Sequence, residues 1–183
     1  MGDKWVISNV GDFLSKVDKY ALKIKANGNA KGFVALFYDL YCPGCALLDL
    51  DLMDYLIQLN QKGIIDIMFV DYVVHRGIEK LHAKVRVLFK KNSSEFLNVL
   101  NKIYSNMVEK GELVKDIQEV SDEEAASELQ AVNECKKLAK SVKVPGTPTI
   151  MVGRYDRNTG VALFGYDGPD SIMNLIREVI FEF

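Results

Sequence analysis

The sequence predicts an α/β fold interrupted by a long helical insertion. Three observations predict it. A strand, a helix and a second strand follow one another between residues 34 and 70. A 3.6-residue hydrophobic period then runs from 78 to 141, and strand signals return at 149–152 and 161–164. The chain has 183 residues, 49% of them apolar, enough to build a sizeable core in one domain or in one domain with an insertion.

Residues 34–38 form a short apolar and aromatic run, the pattern of a buried strand. Across 46–60, Leu48, Leu52, Leu56 and Leu59 share one helical face while Asp51, Asp54 and Gln58 take the other, and Gly63 ends the helix. Residues 64–70 form a second buried strand. Strand, helix and strand in such close succession make a βαβ unit, with parallel strands and a right-handed crossover.

Beyond it, Ile78, Leu81, His82, Val85, Leu88 and Phe89 form one stripe. Asn92 and Glu95 have the spacing of a capping box ahead of Phe96, Leu100, Ile103, Tyr104 and Met107. Ser121 and Glu124 repeat it ahead of Leu129, Val132, Cys135, Leu138 and Ala139. The helical period is expected to persist throughout 78–141. Strands at 149–152 and 161–164 flank a turn. Pro169 suits the first turn of a final helix that buries Ile172, Leu175, Ile176, Val179 and Ile180. Residues 1–74 and 142–183 are therefore expected to form one domain, with 75–141 as a helical insertion.

The 23 basic and 25 acidic residues are scattered and leave a net charge of −2. No basic stripe offers phosphate contacts, which argues against nucleic acid as a partner. No apolar run approaches the ~20 residues of a membrane span. The first ten residues hold no run resembling the apolar region of a signal peptide. Read as it stands, the chain belongs in the cytoplasm; a signal or anchor lost ahead of Met1 and Gly2 would make it extracytoplasmic. Three cysteines is an odd number, against a scaffold stapled by disulfides.

Two of those cysteines form Cys42-Pro43-Gly44-Cys45, where the first strand ends and the helix begins. Free amides and the positive end of the helix dipole favour an anion there, so the Cys42 thiol is expected to be acidic. Its thiolate can attack a disulfide, and Cys45, one turn on, can resolve the mixed disulfide. Pro43 in the first turn sacrifices no hydrogen bond. A zinc site needs about four ligands, and the rest of the chain offers Cys135, His75 and His82 in no recognisable spacing, so no metal is expected. Val144-Pro145-Gly146-Thr147-Pro148-Thr149 stands directly before a strand. Proline there removes a ladder donor. A cis Thr147–Pro148 bond gives it a purpose, exposing the Thr147 backbone to an extended substrate peptide. A trans proline ending a loop is the plainer alternative, which the Cys motif outweighs.

Taken together, strand, Cys-Pro-Gly-Cys, helix, helical insertion and Gly-Thr-Pro-Thr before a strand resemble the DsbA-like family of thiol–disulfide oxidoreductases, from about Phe33 to Phe183. The resemblance implies a thioredoxin fold with an inserted helical domain and a substrate groove around Thr147. It also implies exchange with cysteine-containing proteins in the direction of disulfide formation. A monomer with no bound cofactor is expected, its Cys pair regenerated by a redox partner protein. Two positions depart from the family's well-known bacterial members. Gly44 stands where they carry histidine, and Leu36 stands where they carry a buried carboxylate, six residues before the first cysteine. Without the imidazole, Cys42 is expected to be less acidic and the protein a weaker oxidant. Asp49, four residues beyond Cys45, matches an acidic family position. It is a candidate for proton transfer, a solvated surface charge being the equal alternative.

Tyr41 is a candidate for the groove lining, whereas Tyr38 reads as packing. Cys135 falls on an apolar stripe and reads as a buried inert thiol, a regulatory thiol being the lesser alternative; His82 reads as a satisfied core histidine, and His75 as a loop residue, with a place bordering the active site as its lesser alternative. Asp39 would oppose thiolate formation if close, but strand alternation is expected to point it away, so it is left out of the site. Rival readings are a cytoplasmic reductase or isomerase, a glutathione-dependent transferase or isomerase of the same fold, and a non-catalytic peptide-binding module.

Overall fold

In the computed structural model, which describes residues 3–182, the fully apolar stretch of the sequence becomes the central strand. Met1 and Gly2, on which the question of a leader turns, and Phe183 lie outside the described residues. The chain opens with strand β1 (Lys4–Ile7), helix α1 (Val10–Val17) and strand β2 (Leu22–Ile24). The central β3 (Gly32–Tyr38) leads through α2 (Pro43–Gln61) to β4 (Ile65–Asp71). β3 and β4 are parallel, as the βαβ reading predicts, with Val34 opposite Ile67 and Leu36 opposite Phe69. Helices α3 (Glu79–Lys91), α4 (Ser93–Lys110), α5 (Asp122–Ala126) and α6 (Leu129–Ser141) follow. The chain then forms β5 (Thr149–Arg154), β6 (Gly160–Phe164) and α7 (Pro169–Ile176), which ends in a π-helical turn, Arg177–Phe181. The six strands lie in the order β1-β6-β5-β3-β4-β2.

Side-chain alternation along β3 divides the core in two, because both faces of this strand are covered. Val34, Leu36 and Tyr38 join α2, α3, α4 and α7 on one face. Phe33, Ala35 and Phe37 join α1 and α6 on the other, where Phe13 stacks on Phe33 at 5.9 Å. The fully buried Val34, Phe33 and Phe37 each contribute about 1.5–3 kcal/mol.

The helical period does not persist across 78–141. Gly111 adopts the left-handed conformation (φ 65°) and stops α4, and no helix forms again until Asp122. The intervening loop is pinned rather than helical: the Lys84 ammonium, itself buried, donates to Asp116 at 2.7 Å, and Ile117 and Val120 insert into the core. The Ser121 capping box forms with both halves present, but it caps the short α5 and not α6. The first three elements, β1, α1 and β2, were not read from the sequence. Their strands are three or four residues long and half-exposed at sheet edges, too short to show a period. Among the described residues, no helix is long and apolar enough to cross a membrane.

Candidate active site

β3 ends at Tyr38, and four residues later the chain enters α2 with Cys42 as its N-cap. Sulfur here does what an N-cap oxygen does, accepting the Cys45 amide at 3.3 Å. Pro43 occupies the first helical turn. Opposite stands the loop before β5, where Thr147–Pro148 is cis. The Cys42 thiol donates to the Thr147 carbonyl at 3.4 Å. Gly44 lies between the two segments: a Cβ at that position would come within 2.9 Å of Pro148 Cδ, so the absent side chain lets the proline ring rest on the motif.

Both motif cysteines are free and buried, yet their acidities diverge. The Cys45 thiol, the Thr147 side chain and the Cys45 amide together outweigh burial and the Asp39 charge, and lower Cys42 to about 6. Burial, then the neighbouring Cys42, push Cys45 well above the usual thiol range. One sulfur is therefore set to be an anion and the other a thiol.

Asp49 is 4% exposed, and neither carboxylate oxygen has a partner in full hydrogen-bonding geometry. Burial pushes it up to about 7, only partly offset by Asn101. It is not a solvated charge. It shares a cavity of about 20 Å³ with Cys45, Tyr104, Pro148 and Leu36. Leu36 thus forms an apolar part of the wall that Asp49, from α2, supplies with a carboxylate. Tyr41 is half-buried, with its hydroxyl donating to the Val114 carbonyl at 2.9 Å, and its ring meets His75 edge-on at 6.4 Å.

The structure corrects the placement of Asp39. Strand alternation does not reach it, because β3 has ended and the backbone turns so that the Cys42 amide donates to the Asp39 carbonyl at 3.1 Å. Its carboxylate is fully buried and accepts the amides of Tyr41, Val74 and His75 at 2.7, 2.7 and 2.9 Å.

A second buried group supports the same loop. His82 accepts the Leu40 amide on Nε2 at 3.1 Å, which makes Nδ1 the donor to Asp71 at 2.8 Å. Asp71 also receives Tyr38 and Arg86 at 3.0 and 2.7 Å. Tyr38 therefore does more than pack. Cys135 lies against Arg86 at 3.9 Å, fully buried, and burial pushes its thiol up to about 12. Among the described residues, no three His, Cys, Asp or Glu side chains gather as metal ligands would.

Comparison with known proteins matches residues 26–162 to a family described as thioredoxin, a span that includes Cys42, Cys45, Thr147 and Pro148. The chain belongs to the thioredoxin family. Its fold is that of the DsbA-like branch, the sheet interrupted by inserted helices. A periplasmic thioredoxin-like protein from Salmonella enterica serovar Typhimurium superposes with a TM-score of 0.63, at 18% identity over 92% of this chain and 95% of that one. The thiol–disulfide exchange protein alpha-DsbA2 from Wolbachia pipientis gives 0.62, at 15% identity over 91% and 95%. BdbD from Bacillus subtilis gives 0.65, at 17% identity over 87% and 92%. No curated protein sequence matches. The thioredoxin match and the spacing of Cys42 and Cys45 make the chain a thiol–disulfide oxidoreductase.

Proposed function

We propose that this thioredoxin-family protein exchanges disulfides with cysteine-containing proteins in the direction of disulfide formation, with Cys42 as the reacting sulfur and Cys45 as its resolving partner. The observation that carries this reading is the position of Cys42 Sγ: at the start of α2, capped by the Cys45 amide, beside the Thr147 carbonyl. In the oxidised protein Cys42 and Cys45 are joined. A substrate thiolate attacks Cys42 Sγ, the Cys42–Cys45 bond breaks, and Cys45 leaves with the electron pair and takes a proton. A second substrate thiolate then attacks the substrate sulfur of the mixed disulfide, and Cys42 leaves as a thiolate. The substrate loses two electrons, which the Cys pair gains and passes to a redox partner protein.

The second departure is favourable because the helix start stabilises the leaving thiolate. That same stabilisation favours the reduced protein and so makes its disulfide oxidising. An acidity of about 6 for Cys42 falls between the values of about 7 and about 3.5 that accompany weakly and strongly oxidising relatives. Equilibration with glutathione is therefore expected to give a reduction potential between roughly −270 and −120 mV. A value below about −300 mV belongs to a structural bridge and would overturn the reading.

Asp49 supplies the proton that Cys45 needs. Its carboxyl lines the cavity behind Cys45, which has room for about one water. Asp49→Asn keeps the shape and removes the transferable proton, and steady-state exchange is expected to fall at least ~10-fold. The same variant has a stability signature. A carboxyl held near 7 when folded, against an ordinary 3.8, keeps its proton in the folded state after the unfolded chain has lost it. Stability then falls as pH rises from about 4 to about 7. Denaturant melts across that range should show this slope in the wild type and its loss in Asp49→Asn.

A further inference from the structure

We propose that Asp39 and His75 are paired positioning residues that set how readily Cys42 ionises: the buried Asp39 carboxylate fixes the loop before Cys42 and opposes an anion there, and the His75 imidazole, seated on it from the solvent side, offsets that charge. This rests on Cys42 being the reacting sulfur.

The geometry begins with the backbone. Of the amides leading into α2, Leu40 is taken by His82, Tyr41 by the Asp39 carboxylate and Cys42 by the Asp39 carbonyl. None is left to face the Cys42 sulfur. Its stabilisation comes from the Cys45 side and from Thr147. Asp39 also ties three elements together. Its carboxylate receives Val74 and His75 from the loop between β4 and α3, and its carbonyl receives the Tyr104 hydroxyl of α4 at 3.1 Å. Convergent N–H donors are the surroundings of an ionised carboxylate.

Asp39 stands three residues before the reacting sulfur, joined to it through the Cys42 amide on its carbonyl at 3.1 Å. Of the influences on Cys42, led by the Cys45 thiol, burial and Asp39 are the two that oppose ionisation. Tyr41, raised first by burial, is raised next by the same carboxylate. Among the described residues, the ionisable groups facing Asp39 include His75 from the β4–α3 loop, Tyr41 from its own loop, Tyr104 from α4, and Cys42 and Cys45 at the start of α2. His75 Nδ1 lies 3.1 Å from Asp39 Oδ1, with the side chain 46% exposed. At that distance Nδ1–H can donate to Asp39. The imidazole seated on Asp39 at this distance draws the carboxylate's charge away from Cys42, and a cation placed there would offset it further. The motif has glycine at its third position, and the imidazole arrives instead from a loop more than thirty residues along the chain.

The test is ultraviolet titration of the Cys42 thiolate, with Cys42→Ser as the blank, in wild type, His75→Gln, His75→Lys and Asp39→Asn. Cys42 in His75→Gln should ionise at higher pH than in wild type, with a severalfold smaller thiolate fraction at any pH below the wild-type midpoint. His75→Lys, a permanent cation, should restore or exceed the wild-type fraction. Asp39→Asn should ionise at lower pH, and adding His75→Gln to it should change nothing further. A purely structural role would move the melting temperature of the His75 variants and leave these curves in place. If Asp39→Asn does not fold, the two exposed His75 substitutions decide alone. Glutamine and lysine variants that both titrate like wild type would overturn the proposal while leaving Cys42 as the reacting sulfur. A wild-type Cys42 that ionises like a free thiol would overturn the function itself.

Discussion

Cys42→Ser is expected to abolish disulfide exchange, with the rate falling at least ~10³-fold, because a hydroxyl neither ionises near neutral pH nor forms a disulfide. Cys45 cannot take over. It is buried, its thiol is pushed well above the usual range, and it lies inside the first turn of α2 and not at its cap. The complementary variant has the opposite behaviour. Cys45→Ser should still attack a disulfide-bonded peptide through Cys42 but lack the thiol that displaces it, so a mixed disulfide accumulates. Mass spectrometry of both variants after exposure to the peptide separates the roles. An adduct on Cys45 of Cys42→Ser, formed at the wild-type rate, would contradict the assignment.

Asp71→Ala should be the most damaging single substitution outside the motif, costing about 3–5 kcal/mol, the usual consequence of removing one partner from a buried ion pair. Asp71 is fully buried at the end of β4 and accepts from Tyr38, His82 and Arg86. Without it the Arg86 guanidinium keeps the Tyr20 carbonyl at 2.8 Å and the Glu128 carboxylate at 3.4 Å, which places the loss toward the lower end of that range. Tyr38 and His82 would be left with polar atoms in the core.

The pH dependence has a definite sign. Burial alone would raise Asp71, but His82 and Arg86 hold it below the ordinary carboxylate range. Its contribution is therefore complete above the ordinary value and is lost as pH falls through the lower, folded-state value. Urea melts at neutral and acid pH should show wild type converging on Asp71→Ala as the solution is acidified. A neutral-pH loss under about 1 kcal/mol would show that Arg86 is satisfied without Asp71.

The two halves of the site differed in how far the sequence revealed them. Cys42, Cys45, Thr147 and Pro148 were legible because each belongs to a short pattern with its own mechanism: a thiol at a helix start, a proline at the head of a strand. The order of β3, α2 and β4 followed from apolar runs long enough to show a period. Asp39 and His75 could not be paired in the same way. They are distant in sequence, and the alternation rule was applied one residue past the end of β3. Asp49 had a position but no environment, since a charge on a helix face says nothing about the α4 residues that cover it. Asp71 is an isolated acid, His82 one member of an apolar stripe and Arg86 a charge beside that stripe until α3 folds onto β4. The loop after Gly111 was hidden by apolar residues, Ile117 and Val120, that mimic a helical stripe while anchoring irregular chain.

All of this depends on two neighbouring thiols with opposed acidities. Site-resolved alkylation across a pH series, with the labelled cysteines separated by mass spectrometry, measures that directly. Cys42 should react with a midpoint of about 6, while Cys45 and Cys135 stay unlabelled until the solution is strongly alkaline. Equal midpoints for Cys42 and Cys45, both near the ~8.5 of an unperturbed thiol, would contradict the account.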